Sequence, residues 1–220
     1  MNYTFHWQPV LRALPDIMQG ALVTLQIAVL SMLIGVVLAV VLAVAGKSRF
    51  ASVRFAAATW IEVARNTPAL LQIYMAYFGL GSLGIHMGSF AALLAGITFN
   101  NAGYMAETFR GGLRAIPGTQ MRAARSLGMG PVQGFRLIIF PQLMRVSFYP
   151  MTNQMVWSIL LTSLGVVVGL NSDLTGVTQD FNVKTFRTFE FFVAAAVLYY
   201  ALAKIVIIAS RLLAWRLFRY

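Results

Sequence analysis

Residues 21–45 contain no Asp, Glu, Lys or Arg. A helix needs about 20 consecutive apolar residues to cross the hydrocarbon core of a bilayer. Lipid offers no partner to a free backbone N–H or C=O, so a run of this kind spans only as a helix. Its clearly polar side chains are Thr24, Gln26 and Ser31, which are expected to face other helices rather than lipid. Further apolar stretches lie at roughly residues 55–79, 90–109, 145–170 and 191–210. The chain is 59% hydrophobic and 10% charged, where a soluble domain has about 25% charged residues. The expected fold is an all-α polytopic membrane protein, with about five transmembrane helices in one domain over residues 1–220. Residues 1–19 are mixed and read as surface-lying, with Trp7 at the headgroups. No cleaved signal is read there: residues 1–8 have no basic segment, and the first apolar run is too long for a signal core.

The formal net charge is +11. A nucleic-acid footprint would be a basic face on a soluble fold, but here the basic residues sit in short stretches between apolar runs, in the positive-inside pattern. With residues 116–142 placed inside, thirteen of the seventeen basic residues fall on the inner side, including the closing Arg211, Arg216 and Arg219. The amino terminus is then outside and the carboxyl terminus inside. There is no cysteine, which excludes disulfides and thiolate metal sites. Gly46-Lys47-Ser48 looks like the end of a phosphate-binding loop, but Val41 stands where that loop needs glycine. Residues 79–84 match G-x-G-x-x-G with no strand before them, so they read as a flexible turn. His6 and His86 are far apart and suggest no metal site. No cofactor is expected on this chain.

Residues 116–142 do not read as a span. They carry Arg122, Arg125 and Arg136 without an acid, and are punctuated by Pro117, Gly118, Gly128, Gly130, Pro131, Gly134 and Pro141. Each such charge at the bilayer centre costs roughly 2.5 to 3.5 kcal/mol. Residues 120–127 read as a short helix ended by Gly128 in a left-handed conformation, and Pro131 suits the first turn of the next helix. Within the apolar runs, Glu62 and Arg65 are spaced to pair on one helix face. Pro68 predicts a kink or a break. Asn100, Tyr104 and Glu107 form one polar stripe, which is either a substrate pathway or a set of helix–helix hydrogen bonds.

Arg122-Ala123-Ala124-Arg125-Ser126-Leu127-Gly128, followed by 138–140 and Pro141-Gln142, resembles the EAA loop of ABC importer permeases. In that family the loop forms two short cytoplasmic coupling helices that dock into a groove on the ATPase. The family's Glu is Arg122 here. Residues 101–107 with Arg110-Gly111-Gly112 are similar to the corresponding segment of polar amino-acid permeases, as are Arg65-Asn66-Thr67-Pro68 with Gln72, Asn153-Gln154, Thr162-Ser163-Leu164 and residues 185–190. The family glycine is Asn66 here. The family's Lys-Asp before Thr-Ser-Leu is replaced by Leu160-Leu161.

This resemblance covers most of the chain and implies a type I ABC importer permease rather than an enzyme. Its expected partners are a pair of ATPase subunits, a second permease chain, an external substrate-binding protein and the bacterial inner membrane. Its substrate would be a polar or charged amino acid. The coupling residues it implies are Gln120, Arg122, Ala123, Ala124, Leu127 and Gly128. Those of the substrate pathway are Asn101, Tyr104, Asn153, Thr162 and Ser163. Leu160-Leu161 favours a heterodimer in which this chain is the half that does not hold substrate, a homodimer being the alternative. A passive channel or ion-coupled secondary transporter is the other reading. Lys204 and the Glu62–Arg65 pair bear on it, but no internal repeat supports it.

Overall fold

A computed structural model describes residues 3–218; Met1, Asn2 and the inner-side Arg219 lie outside them. The described residues are helical, with no strand. The first helix, α1 (Gln8–Ala45), starts well before the uncharged run. Residues 8–19 are therefore part of α1 and do not lie separately on a surface. The reason is a buried stripe at Val10, Ala13, Ile17, Ala21, Thr24 and Ala28, at the three-to-four spacing of a helix face. Arg12, Asp16 and Gln19 occupy the exposed face and mask that stripe in the sequence. At a rise of about 1.5 Å per residue α1 is roughly 57 Å long, well beyond the ~30 Å of a hydrocarbon core.

The second apolar run is split. The helix α2 (Ala51–Asn66) ends at Thr67 and Pro68, both extended. The chain resumes as α3 (Ala69–Tyr74), passes through a π-helical turn (Met75–Gly79) and ends in α4 (Leu80–Ser82). The glycine-rich residues 79–84 thus continue the helix as far as Ser82 and turn only at Leu83 and Gly84. The helix α5 (Ser89–Ala115) carries the polar stripe. The short α6 (Thr119–Ser126) stands in the basic loop.

Pro131 then opens a helix that runs on: α7 (Pro131–Gly134), a π-helical turn (Phe135–Ile139), α8 (Phe140–Leu161) and a 3-10 segment (Thr162–Val168). The second short helix of the basic loop is therefore the leading end of the fourth span. The polar connection after it folds as α9 (Leu174–Thr185), capped by Asp173, and the chain closes with α10 (Thr188–Leu217). The helices Gln8–Ala45, Pro131–Val168 and Thr188–Leu217 are long and apolar enough to cross a membrane.

Core packing follows α1, which lies along α5 most extensively and also touches α2, α8, α9 and α10. Three apolar clusters are spaced along it. Val10, Ile17, Leu174 and Phe191 form one; Ile27, Ile73, Leu93 and Leu161 the next; Leu42, Ala57, Met105 and Phe109 the last. Thr24 and Ser31 are buried as expected, but Gln26 is exposed, because the helix turns it away from the stripe.

Candidate functional site: a basic knob and a polar interhelical network

The knob is built from local chemistry. At the end of α6, Gly128 adopts φ +81°, Gly128 N–H donates to Arg125 O (3.0 Å), and Met129 N–H donates to Ala124 O (3.1 Å). This pair of bonds closes the helix over a left-handed glycine, which L-residues other than Asn and Asp adopt only at a cost. Gly130 then extends the chain, and Pro131, which has no N–H to leave unsatisfied, takes the first turn of α7. A Cβ on Gly134 would stand 2.9 Å from Met121 Sδ and 3.4 Å from the Ala124 Cβ, so α6 folds back tightly on α7. Ile116, Ile139 and Leu143, with Met121 and Ile138 against them, fasten the knob to the spans.

The outer face of the knob presents Gln120, Arg122, Ala123 and Arg125, all exposed, with Leu127 at 79% and Val132 at 80% exposure. Ala124, expected beside Ala123 on the docking face, is buried against the chain's own Gly134. Successive helical residues point about 100° apart, so two adjacent alanines do not share a face. A shallow crevice of about 520 Å³ lies beside the knob, between Pro131, Val132, Arg136 and Leu137.

The second constellation lies among the spans. Asn101 is fully buried: its Nδ2 donates to Ser31 Oγ (3.3 Å), and its Oδ1 accepts from Gln154 Nε2 (2.9 Å) and Ser158 Oγ (3.0 Å), tying α1, α5 and α8 together. Asn100 has another task. Pro68 has no N–H, so Ala64 O, four residues earlier, loses its helical donor. Gln72 Nε2 (2.9 Å) and Asn100 Nδ2 (3.2 Å) donate to that carbonyl instead, and Asn100 also donates to Gln72 Oε1. The break at Pro68 is thus sealed by side chains from α3 and from the neighbouring α5.

Arg65 does not pair with Glu62 as the spacing suggested. It reaches Glu107 on α5 (3.5 Å), which also holds Arg110 (2.5 Å), while its guanidinium lies 5.9 Å from the Tyr104 ring centroid. The close approach of α5 brings Glu107 to Arg65, and Glu62 stays exposed.

Tyr104 and Asn153 meet in an open cavity of about 430 Å³, together with Thr108, Gln154 and Trp157. Asn101 lies behind it, linked through Gln154. Thr162 and Ser163 are not brought there. Thr162 is buried, donates to Ile159 O (2.7 Å) and lies 3.5 Å from both Thr24 and Tyr199; Ser163 donates to Leu160 O. Gln72, Gln154 and Trp157 were not among the predicted site residues. Gln72, four residues after the helix-breaking proline, was the one signal that could have found the sealed break. Among the described residues no group of three or more His, Cys, Asp or Glu could hold a metal ion.

Known proteins resemble this chain in sequence and in fold. The octopine transport system permease protein OccM of Rhizobium radiobacter is 34% identical over 222 residues, covering 97% of this chain and 89% of that protein. The histidine/lysine/arginine/ornithine transport system permease protein HisM of Escherichia coli K12 is 28% identical, covering 92% and 89%. A crystal structure of an amino acid ABC transporter with histidines superposes with a TM-score of 0.89 at 28% identity, covering 97% of this chain and 100% of that one. The MetNI methionine ABC transporter, at 18% identity and a TM-score of 0.75, shares the fold. The model of the family described as binding-protein-dependent transport system inner membrane component matches residues 31–219, and the chain belongs to that family.

Proposed function

We propose that this chain is the membrane-spanning permease subunit of an ATP-driven importer for polar or charged amino acids. The observation that carries the reading is the exposed knob at residues 119–132. Its closing turn, its basic outer face and its apolar tips at Leu127 and Val132 suit insertion into a groove on a cytoplasmic ATPase. Gln120, Arg122, Ala123, Leu127 and Gly128 make that contact, and Ala124 holds the knob to the span behind it. The chain sits in the bacterial inner membrane with its amino terminus outside and its carboxyl terminus inside. ATP-driven closure of the ATPase pair moves the knob, and the continuous helix from Pro131 to Val168 carries that movement into the spans.

The amino-acid class is supported by the relatives, which are named for octopine and for histidine, lysine, arginine and ornithine. An external binding protein delivers the substrate. Its path runs past the cavity of Tyr104 and Asn153, with Asn101 bracing the wall; Thr162 and Ser163 contribute rigidity farther along. A heterodimer is favoured. Leu161 is packed in the core beside Ile27 and Leu93, and Leu160 is apolar, so neither offers a charge to a substrate. Co-purification tests the proposal: the chain is tagged, extracted in mild detergent from its native source, and its companions are identified while ATP hydrolysis is assayed. An ATPase with a second, different permease chain is expected. A stable, monodisperse preparation with no ATPase overturns the proposal.

A further inference from the structure

A second cavity, of about 530 Å³, opens between α1, α2 and α5 at the end nearest the knob, since Arg114 is followed within a few residues by α6. Its floor is apolar and small: Leu42, Ala57 and Ala106 are buried there, and Ala58 lines one wall. Its rim is cationic, with Lys47 from the turn after α1, Arg54 from α2, and Arg110 and Arg114 from α5. No carboxylate lines it; of its rim cations, Arg110 pairs with Glu107, which also pairs with Arg65. Arg54 is braced by the carbonyls of Ser48 and Arg49 at 2.9 and 3.1 Å, which points the guanidinium rather than neutralising it. Among the described residues the side chains of Lys47 and Arg114 have no hydrogen-bond or ion-pair partner.

We infer that this crevice binds an anionic glycerophospholipid of the inner leaflet, its phosphate on Lys47 and Arg114 and an acyl chain along Ala57, Ala58 and Ala106. Two properties of the crevice select this ligand. Small residues leave an interhelical gap whose apolar walls lack contact partners, and a hydrocarbon chain restores those contacts. Four cations from three separate elements converge on the mouth of that same gap, and basic pockets between spans on the cytoplasmic side suit anionic headgroups. A positive-inside bias alone would scatter charge along the membrane surface without placing an apolar slot beneath it. A free phosphate or nucleotide would use the rim and leave the slot unfilled. The inference rests on the inward orientation proposed above.

The test uses the full chain, purified with its accompanying subunits in neutral detergent, and follows thermal unfolding as lipid is added. Short-chain dioctanoyl phosphatidylglycerol is expected to raise the midpoint saturably. Dioctanoyl phosphatidylcholine and inorganic phosphate at matched concentration should not. The double variant Lys47→Gln/Arg114→Gln should weaken the phosphatidylglycerol response by about tenfold or more, each cation near a headgroup contributing about one factor of five. Ala58→Trp, which fills the slot and leaves the rim charges in place, should weaken it as well. An unchanged response in both variants overturns the inference, as does a full response to inorganic phosphate alone. Companion ATPase is scored in the same preparations, so loss of the lipid effect is separable from failure of the permease reading.

Discussion

Asn101 and Asp173 show what single buried polar residues do in this chain. Asn101 satisfies groups on α1 and α8 at once, and interhelical hydrogen bonds within a membrane contribute about 0.6 kcal/mol each. Asn101→Leu removes all three bonds and leaves Ser31 and Gln154 short of a partner. It should lower stability by about 1–3 kcal/mol, read as a lower thermal midpoint in detergent with the chain still helical by circular dichroism. Asp173 caps α9, accepting from Thr175 N–H (3.1 Å) and Gly176 N–H (3.2 Å), and burial pushes its carboxyl up from the usual 3.8 to about 6. The fold therefore binds that proton more tightly than the unfolded chain does. The resulting stabilisation is present below about pH 4 and is lost as pH rises through about 6. Asn caps helices as well as Asp does. Asp173→Asn should accordingly flatten the decline in midpoint between pH 4 and 6, and an unchanged slope would show that another group sets it.

At the scale of elements, the crossing of α1 over α5 depends on a glycine. A Cβ on Gly35 would lie 2.6 Å from the Asn101 Cβ, so any side chain there forces the helices apart and strains the hydrogen bonds beside it. Gly35→Leu should cost several kcal/mol, beyond the usual 1–3 kcal/mol of overpacking because backbone must move. The measurement is the fraction of extracted protein that runs as a single species in size exclusion, which should collapse. What the sequence disclosed about such elements depended on how local the cause was. The cap at Gly128, the start at Pro131 and the break at Pro68 are each decided by the residue itself, and all three were legible. The start of α1 at Gln8 was not, because Arg12, Asp16 and Gln19 alternate with the stripe that packs against α9 and α10. The partner of Arg65 was not legible either, since Glu107 reaches it only through the packing of α2 on α5. The buried orientation of Ala124 depended in the same way on Gly134 folding back.

For the whole molecule, the distribution of apolar surface is the informative feature. The helix α10 fully buries only Glu190, Phe191, Ala195 and Ala214; Ala194, Leu198, Tyr199 and Leu202 pack against the cluster of Val10, Ile17 and Leu174, and Val197, Tyr200, Ile205, Ile208 and Leu212 form an exposed apolar face. In contrast, α1 and α5 are buried along their lengths and hold the remaining helices in register. The amino-terminal arm is fastened at the opposite end from the knob: Tyr3 Oη and His6 N–H donate to Glu190, and Arg187 donates to Thr4 O (3.0 Å). The proposed machine thus has a fixed outer end, a continuous helix from Pro131 to Val168, and a protruding inner knob that can transmit force. Its central claim is that the knob couples ATP hydrolysis to transport.

The direct measurement is uptake and ATP hydrolysis on the same preparation of assembled transporter carrying Gly128→Asp, with Gly128→Asn as control. A Cβ at Gly128 meets nothing within 4 Å, so neither variant is blocked by a clash, and Asn tolerates the left-handed conformation. The account predicts that Gly128→Asp assembles and hydrolyses ATP while uptake falls by about tenfold or more, a loss of at least 1.4 kcal/mol in coupling, and that Gly128→Asn keeps most of its uptake. Near-normal uptake by Gly128→Asp, present at the wild-type amount, would contradict it.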